Sequence, residues 1–132
     1  MGPVRKFSTI CGCGAALLLL GAAQRPQALA QSSPGLWEIS GLPGGAPLRQ
    51  CVADPAALAR VEHRGESCTQ VVVSDGPAQA VIHYTCVKNG FGQTKITALT
   101  PRSLRIETQG ISGGAPFNYL IQARRVANCE AH

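Results

Sequence analysis

The residues with chemistry to offer are few: four cysteines beyond an apolar leader, three histidines and one serine set among glycines. Cys51, Cys68, Cys86 and Cys129 form an even set with no C-x-x-C pair. Zinc knuckles need that close spacing to put two thiolates on one ion, so no metal site is expected. In an exported chain the same set reads as two disulfides, and the count alone allows three pairings. His63, His83 and His132 are scattered and share no ligand spacing. Gly110-Ile111-Ser112-Gly113-Gly114 spells G-x-S-x-G. A nucleophile elbow uses that sequence to turn from a strand into a helix and so expose the serine. Here the residues lie between two strand-like segments, with no Asp downstream and only His132 as a later histidine. A hairpin loop is therefore expected at Ser112, and no catalytic residue. Gly90-Phe91-Gly92-Gln93-Thr94-Lys95 lacks the spacing and the helix of a phosphate loop. No cofactor is implied.

The N-terminus decides the compartment. Arg5 and Lys6 precede an apolar run from Ile10 to Ala23, and Ala28-Leu29-Ala30 supplies an A-x-A site before Gln31. That is the grammar of a secretory signal peptide over residues 1–30, leaving one exported domain over residues 31–132. The run is about 14 residues and a spanning helix needs about 20, so no stable membrane span is expected after cleavage. Cys11 and Cys13 leave with the leader. The expected location is the periplasm or the outside of the cell.

Cleavage also changes the electrostatics. The whole chain carries 12 Lys and Arg against 7 Asp and Glu, for a net +5. Losing Arg5, Lys6 and Arg25 takes 12 to 9 against the same 7, because the leader holds no acid. A near-neutral domain gives no electrostatic case for nucleic acid.

The positioning elements follow from periodicity. Gly35–Ser40 and Leu48–Val52 read as short strands around the turn-rich Gly41–Pro47. Asp54-Pro55 opens a helix of about two turns, with Asp54 as cap and Pro55 in the first position. His63 closes it, where a cation would meet the dipole well. From Ser67 the period becomes two. Ser67–Ser74, Ala78–Cys86, Gln93–Thr100, Ser103–Gln109 and Phe117–Val126 all alternate, with breaks at Gly76-Pro77, Asn89-Gly90, Pro101-Arg102 and Gly110–Pro116. Strands in succession without intervening helices give a mainly β fold. The expectation is an antiparallel curved meander or half-barrel of about seven strands with one short helix. Phe91 is expected over an open edge of the core, and Trp37 as a core anchor near the chain entry. In such a meander the ends of the Ser67 and Ala78 strands meet, which favours Cys68–Cys86 and leaves Cys51–Cys129. The rival pairing, Cys51–Cys68 with Cys86–Cys129, would put the second pair at opposite ends.

A set of short motifs occurs in a fixed order: Pro34-Gly35-Leu36-Trp37-Glu38 after the leader, Cys51-Val52 before the helix, Cys68 after it, Tyr84-Thr85-Cys86 ending a strand, and Arg125-Val126-Ala127-Asn128-Cys129. In this the chain resembles the bacterial exported family catalogued as domain of unknown function 3617, from Pro34 to Cys129. Ala127-Asn128 departs from the Gly-Asp that usually precedes the last cysteine there. The resemblance implies a small periplasmic β-domain and brings no activity.

The functional expectation is non-enzymatic binding of an envelope partner or a small apolar molecule. A concave sheet face bearing Ile82, Tyr84, Ile96, Leu104, Ile106 and Tyr119 would take such a molecule, with Tyr84, Ile106 and Tyr119 as the candidate contacts. The alternatives are a small hydrolase built on Ser112 and an accessory protein acting as an oligomer through a sheet edge.

Overall fold

The computed structural model describes residues 2, 3, 12, 14 and 25–130. The expectations for Arg5, Lys6, the apolar run, Cys11, Cys13 and His132 lie outside these residues. Seven strands make one antiparallel sheet: β1 (Gly35–Ser40), β2 (Leu48–Val52), β3 (Cys68–Asp75), β4 (Gln79–Cys86), β5 (Gly90–Thr100), β6 (Ser103–Ser112) and β7 (Ala115–Ala127). The spatial order is β2-β1-β7-β6-β5-β4-β3. Strands β3 to β7 form the expected meander, and the β1–β2 hairpin adds to its β7 side. β2 and β3 do not pair with each other, so the sheet is open, with no curl toward a barrel.

The alternation sets one buried face. Trp37 and Ile39 on β1, Ala80, Ile82 and Tyr84 on β4, Ile96 on β5, Leu104 and Ile106 on β6, and Ile121 and Ala123 on β7 are all buried. Register aligns them in rows across the sheet. Ala80, Ile96, Ile106 and Ile121 lie opposite one another in turn. The next row is Ile82, Thr94, Thr108 and Tyr119, and the one beyond is Tyr84, Gly92, Gly110 and Phe117.

Two elements cover that face. One is the helix Pro55–His63, whose Leu58, Ala59 and Val61 join the core. Asp54 caps it as expected, accepting from the Ala56 amide at 3.0 Å. It is wound as a 3-10 helix with a kink at Arg60, not as α-helix. The sheet supplies a reason. Gln70 Nε2 donates to the Ala56 carbonyl and Thr94 Oγ1 to the Ala59 carbonyl, so side chains beneath take acceptors that a straight α-helix would use internally. The second element is a single 3-10 turn, Gln27–Leu29, which packs on β4 and β5.

The glycine segments depart from expectation. Gly90–Gly92 and Gly110–Ser112 are strand, and Gly113-Gly114 alone makes the turn between β6 and β7. Their φ values of +57° and +79° suit a two-residue hairpin turn of type I′. Phe91 is also not over the core: it lies on the outer face, stacked on His83 with centroids 6.3 Å apart.

Disulfides join Cys68 to Cys86 and Cys51 to Cys129, the pairing that the meander favours. Cys68 and Cys86 stand directly opposite on β3 and β4. Cys51 reaches from β2 past Leu36 of β1 to the residues following β7.

Candidate functional site: a groove beside the helix

A cavity of about 620 Å³ opens where the helix, β3, β4 and the N-terminal turn meet. Its lining is Arg25, Pro26, Asp54, Ala56, Gln70, Val72 and Ile82. The alternation of β3 and β4 turns Val72 and Ile82 inward from adjacent strands, where they are directly opposite. They form an apolar floor. Ala56 of the helix and Pro26, just before the N-terminal turn, also line it. Gln70 contributes its stem, since its amide is engaged at both ends: Oε1 accepts from Arg60 Nη1 at 2.7 Å and Nε2 donates to Ala56. Arg25 and Asp54 stand at the rim, 3.7 Å apart and both well exposed. The groove therefore combines an apolar floor with one cation and one anion at its mouth. Its volume lies within the usual range for small-molecule sites.

A polar cluster occupies the other end of the helix. His63 is fully buried. Its Nε2 lies 3.0 Å from the Asn89 carbonyl and its Nδ1 2.9 Å from the Tyr84 hydroxyl. A carbonyl only accepts, so Nε2 donates; in the neutral ring Nδ1 then accepts from Tyr84. His63 is thus a buried cross-link between helix and sheet, not a solvated side chain at a helix end. The same logic orients the threonines. Thr94 gives its one hydroxyl proton to Ala59, so Thr108, 2.7 Å away, must donate to Thr94. Tyr119 donates to Glu62 Oε2 at 2.7 Å.

Both phenols of this cluster are shifted upward. Burial, aided by the Glu62 charge, pushes the Tyr84 phenol up to about 12. Burial and the bond to Glu62 raise Tyr119 as well. Both stay protonated and act as fixed donors.

The residues singled out from sequence fall mostly outside the groove. Tyr84 and Ile106 are fully buried in the core, and Tyr119 is half-buried against it. Of the six expected on a ligand-lining face, Ile82 alone reaches the groove. Ser112 ends β6 opposite Ala115 in a strand-to-strand turn, which lacks the helix that an elbow needs. Sequence reasoning missed Arg25, Pro26, Asp54, Ala56, Gln70 and Val72. The period-two pattern could have supplied Gln70 and Val72, but not the segment that comes to lie over them. Among the described residues there is no cluster of His, Cys, Asp or Glu able to hold a metal. None of their helices is long and apolar enough to cross a membrane. No protein-family profile, curated protein or solved structure matches the chain.

Proposed function

We propose that this is an exported binding domain without catalytic activity, and that the groove beside the helix takes a small molecule with an apolar body and a polar or charged head. The groove carries this reading: in a mature chain that keeps Arg25 and Pro26, Val72, Ile82, Ala56 and Pro26 would cover the body, while Arg25 and Asp54 meet the head. Export draws support from the leader sequence and from two disulfides, which persist in oxidising compartments. The resemblance to domain of unknown function 3617 rests on the order of its short motifs and points the same way.

Native mass spectrometry of the protein recovered from its own envelope fraction tests the proposal. A bound small molecule is expected, and Ala56→Leu should displace it by filling the groove while the melting temperature holds. A protein recovered empty every time, or a molecule held equally by the variant, would remove the groove as the site. A co-purifying protein in place of a small molecule would instead favour the envelope partner.

A further inference from the structure

The expected boundary between leader and domain falls after Ala30, yet the residues just before it are built into the core. Pro26, Ala28 and Leu29 are buried. Leu29 is 0% exposed and clusters with Trp37, Ile39, Leu58 and Ile82. The backbone there is wound and tied down. Leu29 N donates to Pro26 O, Ala30 N to Gln27 O and Ser32 N to Leu29 O, each at 3.0 Å. Gln27 N donates to Asp75 Oδ1 at the end of β3, 2.8 Å away. Removing residues up to Ala30 would leave a leucine-sized void over β4 and β5 and strip Arg25 and Pro26 from the groove wall. Voids of that kind are among the larger single losses a small core can suffer.

We propose that the processing site lies upstream, at the Ala23–Gln24 bond, and that the mature chain keeps Arg25–Ala30 as part of its core. The bond lies outside the described residues and is placed by sequence. Gly21 and Ala23 give an endopeptidase the small residues it needs three places and one place before the cut, directly after Leu17–Leu20. Water adds across the amide, leaving a carboxylate on Ala23 and an amino group on Gln24. The inference rests on residues 1–23 being a secretory leader.

Intact-mass analysis of protein exported from cells making the full chain decides between the two bonds. A species beginning at Gln24 is expected. One beginning at Gln31 would overturn the inference while leaving export intact. An unprocessed chain would overturn the secretory reading, and the inference with it. Two substitutions separate the sites further. Ala23→Asp should accumulate precursor, whereas Ala30→Asp, at an exposed position, should leave processing unchanged; the reverse pattern would refute the proposal. Leu29→Ala should lower the melting temperature of the exported protein by about 10 °C or more. An unchanged melting temperature would mean that Leu29 had already been removed.

Discussion

At Tyr84 three demands meet in one side chain. Its ring lies over Gly92, its hydroxyl donates to His63, and its burial holds the phenol protonated up to about pH 12. The sign of the pH effect follows. The folded state holds this proton more tightly than the unfolded chain, whose phenol titrates near 10. The stabilisation is complete below pH 10 and is lost as pH rises through 12. Urea unfolding at a series of alkaline pH values should show that decline, and Tyr84→Phe should make it shallower, with Tyr119, also raised, supplying what remains. At pH 8 the same substitution should cost about 1–3 kcal/mol, because His63 Nδ1 loses its donor in a buried setting. The inward direction of Tyr84 was legible from its alternation with Ile82. Its partner was not. His63 at a helix end looks like a dipole-stabilised cation until the helix is known to lie across β4, β5 and β6.

At the scale of elements, glycine spacing was read as loop where it is strand. A Cβ on Gly92 would come within 2.5 Å of the Tyr84 ring, and one on Gly110 would run into the backbone of β5. These positions are bare because a side chain lies over the first and a strand crowds the second. Gly92→Ala should therefore destabilise the fold by about 1–3 kcal/mol through overpacking. It should also change the near-ultraviolet circular dichroism as the Tyr84 ring moves. Either effect missing would mean that the ring does not occupy that row. The regular strands were legible because one face is apolar and the other polar, as with Arg105 and Glu107 against Leu104 and Ile106. The Asp54-Pro55 start of the helix was legible too. Its 3-10 winding was not, since that depends on Gln70 and Thr94 reaching up from a sheet that the local sequence does not show.

For the whole molecule the disulfides hold the two edges. β2 carries Cys51 and β3 carries Cys68, so each edge strand is bonded inward. With sequence separations of 78 and 18, the chain-entropy model gives about 4–5 and about 3 kcal/mol. That approaches the full stability of a domain this size. Reduction should unfold the protein or nearly so. In thermal denaturation the Cys51→Ser/Cys129→Ser pair should lose more than Cys68→Ser/Cys86→Ser. The pairing was legible because a meander brings Cys68 and Cys86 level. The docking of β1 on β7 was not, because strand pairing across most of the chain leaves no local signal.

That distant docking also imposes an order of assembly. The Cys68–Cys86 bond can close as soon as a single hairpin has formed. The Cys51–Cys129 bond must wait until β7 has been synthesised and β1 has found it. Until then the first hairpin has no sheet to join and Trp37 has no floor to rest on. The amino-terminal quarter of the domain is thus the first part made and the last part secured. Over that interval an oxidant could join Cys51 to the wrong thiol, and the nearest in sequence is Cys68.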